Sequence, residues 1–166
     1  MNNFEIAKIL KEIAVFLEMD DVSFRPRAYE KAAASVEALG EDVEAIYKKG
    51  GIKALIRITA VGRNIAEKIA ELIETGQLQY YNDLKREIPV DLESFAGIEG
   101  VGPKTIKILW QKLQIKNIDD LERDVRAYEI RKLPGFKEKR ELNLLKGIEF
   151  AKKKAVAGTS SGSHYR

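Results

Sequence analysis

The chain has 166 residues, 45% apolar and 33% charged, with a net charge of +3. That length fits one domain or two small ones, and the apolar share is enough to build a core. With no cysteine and a single histidine, His164, disulfides, thiolate metal sites and histidine-based catalysis are excluded.

Helical periodicity runs through nearly every segment, and no stretch alternates with a period of two, so an all-α fold is expected. Ile6, Ile9, Leu10, Ile13 and Leu17 form one stripe after the capping candidates Asn2 and Asn3. Pro26 opens a second helix through Ala38, closed by Gly40. A short helix over Asp42–Lys48 is broken by Gly50 and Gly51. Helical segments Ile52–Arg57 and Arg63–Thr75 follow, with Gly76 as the stop, then Leu78–Glu87 up to Pro89. The last helix is predicted from Lys139 to Lys154. The apolar runs are too short to cross a bilayer and no secretory signal precedes the first helix. A cytoplasmic protein is expected.

The domain boundary is placed at Glu87–Asp91, giving helical domains over residues 1–88 and 89–154. The Gly/Ser-rich remainder, 155–166, reads as a flexible tail. Charge is divided unevenly. Residues 100–154 carry 15 basic and 8 acidic side chains, a local +7, whereas the rest of the chain has an acidic excess. Such a basic segment suits a polyanion, although a solvated helical face also produces lysine-rich stretches.

One pattern occurs three times: an apolar lead-in, a tight turn of small residues, then an amphipathic helix. The copies are Leu55–Ile69, Phe95–Leu109 and Ile130–Leu144. This is the helix-hairpin-helix pattern. Glycine at the turn lets the main chain approach a phosphate, and the following helix presents free N–H groups and its positive end to the same place. Such a site reads no base, so a nucleic-acid backbone of any sequence is the expected ligand. The second copy is complete, with Gly100, Gly102, Pro103, Lys104 and Thr105; the first has Ala60 and Gly62, followed by Asn64. The third has Gly135 but Lys137 at the trailing position, and reads either as a phosphate site or as an ordinary turn.

Phe24-Arg25-Pro26-Arg27-Ala28-Tyr29, the first hairpin with Lys68, Thr75-Gly76, and Gly100-Val101-Gly102-Pro103-Lys104 together resemble the amino-terminal region of family X DNA polymerases. The bacterial and archaeal members are most similar, and the resemblance covers about residues 3–150. It implies a lyase-type helical domain followed by a fingers-like domain, both holding the backbone of gapped, nicked or double-stranded DNA in a prokaryotic, nucleoid-associated setting. In that family nucleotidyl transfer belongs to a downstream palm with a Gly-Ser turn and an Asp-x-Asp pair. Neither stands in a folded segment here, so the chain as given is not expected to polymerise; it is expected to be a fragment of a longer enzyme or a stand-alone relative.

The resemblance places at Lys68 the lysine that forms a Schiff base with a 5′-deoxyribose phosphate. Such an amine must be neutral to attack, so its pKa must fall through burial or nearby cations, and a Glu71 pairing would oppose this. Arg25 and Tyr29 are the implied phosphate holders. Phe24, Ile56, Asn64 and Tyr80 replace a histidine or lysines of the family, and Arg57 and Arg63 are candidate substitutes. The resemblance also implies a monovalent cation, Na⁺ or K⁺, at backbone carbonyls of Ile56, Ile58 and Val61 in the first hairpin and Ala96, Ile98 and Val101 in the second; no other cofactor is expected. Two alternatives remain: a non-enzymatic DNA-binding or accessory protein, and a helical protein-interaction domain whose hairpins are structural.

Overall fold

The computed structural model describes the backbone of residues 1–21 and 25–164, and side chains as far as Val156. Phe24 lies outside the described residues. No strand occurs among them. Two compact units divide the chain, Met1–Pro89 and Val90–Arg166.

The first unit begins with α1 (Asn3–Met19) and α2 (Arg25–Glu37) packed along each other. Asn2 caps α1 in a reciprocal box: Glu5 N–H donates to Asn2 Oδ1 at 2.8 Å and Asn2 N–H to Glu5 Oε2 at 3.2 Å. Ile6, Leu10, Ile13 and Phe16 of α1 and Ala32, Ala33 and Val36 of α2 are fully buried. The alanines let the two helices come close, and each large aliphatic side chain buried contributes about 1.5–3 kcal/mol. α3 (Val43–Ile56) starts at the Asp42 cap and bends at Gly51, whose φ of 68° and ψ of −158° interrupt the helix. α4 (Arg63–Thr75) ends on left-handed Gly76, and α5 (Gln79–Glu87) completes the unit.

The second unit contains α6 (Leu92–Phe95), α7 (Pro103–Leu113), α8 (Ile118–Arg126), a single 3₁₀ turn (Ile130–Lys132) and α9 (Glu138–His164). α8 is capped by Asn117, whose Oδ1 accepts from Asp120 N–H at 2.8 Å. α9 continues well beyond Lys154, where the tail was expected to begin. Lys153-Lys154-Ala155-Val156-Ala157 contains no helix breaker, so the helix runs on through the junction. No helix among the described residues is long and apolar enough to cross a membrane.

Candidate nucleic-acid interface and lysine cleft

The three hairpins share one backbone pattern. In the first, Ile58 N–H donates to Leu55 C=O (3.0 Å), Val61 to Ile58 (3.0 Å) and Ala66 to Gly62 (2.9 Å). The second repeats it with Ile98 to Phe95 (3.1 Å), Val101 to Ile98 (3.4 Å) and Ile106 to Gly102 (2.9 Å). The third repeats it with Leu133 to Ile130 (3.0 Å), Phe136 to Leu133 (3.1 Å) and Glu141 to Lys137 (3.0 Å). The left-handed residue also falls in register, at Ala60 (φ 67°), Gly100 (φ 86°) and Gly135 (φ 82°). Ala60 thus reaches the same turn geometry as glycine, at a cost of about 1–2 kcal/mol for an L-residue.

What differs is how each following helix begins. α1, α3, α6 and α8 all have a side chain accepting from a first-turn N–H. At α5 the Glu71 carboxylate serves, accepting from Gln79 N–H at 2.8 Å. α4 and α7 open on Gly62 and Gly102 with no side-chain cap and no acidic residue in the first turn. Their leading N–H groups and positive ends stay available to an anion. Both glycines are extended, with φ of −86° and −97°, and a Cβ there would meet nothing within 4 Å. Their smallness therefore leaves room for an incoming group; the left-handed turn is made at the residue two positions earlier.

α9 is different. Glu138 and Glu141 occupy its first turn. Glu141 is 2% exposed and stands where the first two copies bury Ala66 and Ile106. Its carboxylate accepts from Arg131 N–H (2.8 Å) and Arg131 Nε (2.7 Å), and the Arg131 guanidinium lies 4.3 Å from the Tyr128 ring centroid. Arg140 stacks 4.0 Å from the Phe136 ring and donates to Gly135 C=O and Thr105 Oγ1, each at 3.2 Å. Arg131 is thus paired with Glu141, and Arg140 is held by neutral groups of the two hairpins of this unit.

In the first unit, α2, the hairpin, α4 and α5 enclose a cleft of about 300 Å³. Arg25, Tyr29, Gly62, Asn64, Lys68 and Tyr80 line it, together with Ala60 and Arg63. Lys68 is half-buried. Its ammonium donates to Asn64 Oδ1, one turn earlier on α4, and lies 4.8 Å from the centroid of the Tyr80 ring. Tyr80 in turn stacks on Tyr29, centroids 6.4 Å apart and planes 19° from parallel. Burial and the nearby Arg25 cation lower the Lys68 pKa from its ordinary value; Glu67 and Glu71 act weakly the other way. Burial, reinforced by Tyr80 and partly offset by Arg25, pushes the Tyr29 hydroxyl up to about 12, so it remains a hydrogen-bond donor.

Comparison with known proteins places these features in a lineage. A helix-hairpin-helix domain family matches residues 1–78, and a SAM-like helix-hairpin-helix tandem family matches residues 91–149. The DNA polymerase/3′-5′ exonuclease PolX of Bacillus subtilis is 26% identical over 149 residues, covering 89% of this chain and 25% of the relative. DNA polymerase lambda of Rattus norvegicus is 28% identical over 119 residues, 72% of this chain and 19% of the relative. The chain is a helix-hairpin-helix protein related to the amino-terminal region of family X DNA polymerases. It spans a quarter or less of the length of these two relatives. A DNA ligase of Finegoldia magna is also similar, at 36% identity over 69 residues, 42% of this chain and 10% of the ligase.

Against this family X frame the fold gathers some sequence-predicted residues and separates others. Arg25, Tyr29, Ala60, Gly62, Asn64 and Lys68 share one cleft. Arg63 lines it and pairs with Glu67 at 3.3 Å, whereas Arg57 lines a different cleft beside Ser35 and Thr59. The Glu71–Lys68 pairing that their spacing allowed is replaced by hydrogen bonds to other partners: Glu71 accepts from Gln79 N–H and Lys68 donates to Asn64. In the second hairpin Gly100, Gly102 and Lys104 are exposed at the start of α7, while the Thr105 hydroxyl is taken by Arg140. Gly135 and Lys137 are exposed beside the acidic first turn of α9. Ile58 and Ile98 carbonyls each accept one turn hydrogen bond, which leaves a second lone pair on each oxygen. The Glu141–Arg131 pair was missed from sequence, although an acidic residue in register with Ala66 and Ile106 was the available signal.

Proposed function

We propose that this chain binds DNA through its backbone phosphates, without regard to sequence, and that Lys68 performs 5′-deoxyribose-phosphate lyase chemistry. The observation that carries the binding is the pair of uncapped, glycine-opened helices, α4 and α7, each following the same left-handed turn. Phosphate oxygens would take the N–H groups that the starts of α1, α3, α5, α6 and α8 give to side chains, with Lys104 beside the second site. The relatives being DNA polymerases and DNA ligases supports DNA as the ligand, in gapped or nicked form for a repair role.

Support for the lyase reading comes from the cleft. A half-buried lysine with a lowered pKa stands among Arg25, Tyr29 and the open start of α4, groups suited to a sugar 5′-phosphate. The neutral Lys68 amine would add to the C1′ aldehyde of the opened sugar, and with one proton taken from solvent the oxygen would leave as water to give the iminium. Loss of a C2′ proton to solvent water and departure of the 3′ phosphate with the C3′–O bonding pair would release the DNA end. Hydrolysis then returns the amine. The hairpin carbonyls of Ile56, Ile58, Val61, Ala96, Ile98 and Val101 are oxygen donors suited to Na⁺ or K⁺ shared with a phosphate, and the free lone pairs at Ile58 and Ile98 fit such a cation.

A salt titration of binding to gapped DNA tests the binding reading. Neutralising about four to six phosphates gives a slope of log K against log salt of about −4 to −5. A slope near zero, or preference for one sequence, contradicts it. Borohydride trapping on an incised abasic site tests the chemistry. Tight, salt-dependent binding without an adduct would leave a non-enzymatic DNA-binding protein.

A further inference from the structure

We propose that Tyr80 and Asn64 are positioning residues for Lys68, with the Tyr80 ring acting as the platform for the cationic iminium. The inference rests on the lyase reading and adds to it two residues that stand where the family resemblance leads one to expect lysines.

The geometry supplies the argument. The Lys68 nitrogen is held from two sides, by the carbonyl oxygen of Asn64 one helical turn earlier and by the Tyr80 ring face at 4.8 Å. Tyr80 is itself fixed, because its ring stacks on Tyr29, which is only 5% exposed. A neutral amine has two hydrogens and one lone pair. With one hydrogen given to Asn64 and the ring face against the nitrogen, the lone pair is left for the cleft that Arg25, Gly62 and Arg63 also line.

The same contacts serve the intermediate. When the lone pair forms the bond to C1′ and the carbonyl oxygen leaves as water, carrying one amine hydrogen and one proton taken from solvent, the nitrogen keeps one hydrogen and gains a positive charge. That hydrogen still donates to Asn64, and the ring's negative face still lies against the cation. A lysine at position 80 would put a like charge there instead. Tyr80 thus favours cations both before and after condensation, while burial and Arg25 keep the free amine accessible. The other charged or titratable groups around the nitrogen are Arg25 and Tyr29 from α2 and Arg63, Glu67 and Glu71 from α4.

The test is the rate of borohydride trapping across pH on an incised abasic duplex, for wild type, Tyr80→Phe, Tyr80→Leu and Asn64→Leu, with melting curves for each. Tyr80→Phe keeps the ring and is expected within about twofold of wild type. Tyr80→Leu is expected to lower the plateau about tenfold, with its acid limb moved to lower pH, because the ammonium has lost the ring. Asn64→Leu is expected to lower the plateau at unchanged melting temperature. An unchanged plateau and limb in Tyr80→Leu overturns the proposal, as does Tyr80→Phe behaving like Tyr80→Leu. If wild type gives no adduct at any pH, the lyase reading fails and the iminium role goes with it. The Lys68 pKa, read by NMR, then decides positioning alone: a fall in Tyr80→Leu supports it and no change overturns it.

Discussion

The first and third hairpins have the same backbone and opposite electrostatic surroundings. Around the first, Gly62 leaves the α4 start open, and Lys68, two turns in, meets a cleft built by α2 and α5. Around the third, Lys137 stands at the Gly62 position, Asn143 stands at the Lys68 position, and Glu138 and Glu141 compensate the helix end. Arg131 donates to Glu141, and Arg140 to Gly135 and Thr105. The lesson is that the turn and its hydrogen bonds create an opportunity for phosphate binding, and the side chains of the next turn decide whether it is used. On the proposed function, the first copy would be a binding site and the third chiefly a structural joint. The second hairpin stands with the first in its open helix start but has Ile108 at the Lys68 position, and the lysine lining the cleft beside Gly100 is Lys146 of α9.

The sharpest way to break this comparison is Lys68→Ala. It should remove nearly all borohydride-trapped adduct while leaving the melting curve unchanged, and trapping as strong as in wild type would move the nucleophile elsewhere. In wild type the acid limb of trapping should lie below the pH set by an ordinary lysine. The sign follows from the lowered pKa: the neutral amine is populated at lower pH, and protonation on further acidification removes it.

Gly102→Val comes next. The backbone there is extended and a Cβ meets nothing within 4 Å, so folding should be unaffected. The added side chain stands where a phosphate must approach. Loss of charge-assisted hydrogen bonds worth about 1.5–3 kcal/mol should weaken DNA binding at least about tenfold, read by fluorescence anisotropy. Lys137→Ala should change affinity much less and flatten the salt slope by at most about 1. Comparable losses from both variants would erase the distinction between the second and third hairpins.

Glu141→Ala probes the structural use of the third copy. It leaves the Arg131 N–H without its buried acceptor, so stability should fall by about 1–3 kcal/mol in denaturant titration while trapping by Lys68 persists. Unchanged stability would mean that the buried pair is not what holds this hairpin. The smallest effect is expected from Ala60→Gly. Relief of a left-handed alanine should raise stability by roughly 1 kcal/mol, less the extra chain entropy of glycine, with DNA binding retained.

Much of the architecture was legible in the chain. The α1 stripe, the Asn2 cap, the Gly51 break, the Gly76 stop and Pro103 at the start of α7 follow from local rules that depend on neighbours in sequence. The three turns were legible for the same reason. Less visible was α8, although Asn117 with Asp119 and Asp120 behind it is a helix-start signal. The extension of α9 past Lys154 was hidden by the Gly/Ser content that follows.

The sequence determined most of the helices and the three turns, because capping, turn geometry and helical periodicity are decided within a few residues. The resemblance to family X polymerases singled out Lys68 as the lysine to test. Only the tertiary structure decided what those groups do. It brought Tyr80 from α5 and Arg25 and Tyr29 from α2 to Lys68, and turned Glu71 away to Gln79. It also buried Glu141 against Arg131, and gave the Thr105 hydroxyl to Arg140. Burial and partner choice set the charge state of a side chain, and both arise from elements that meet only when the chain has packed.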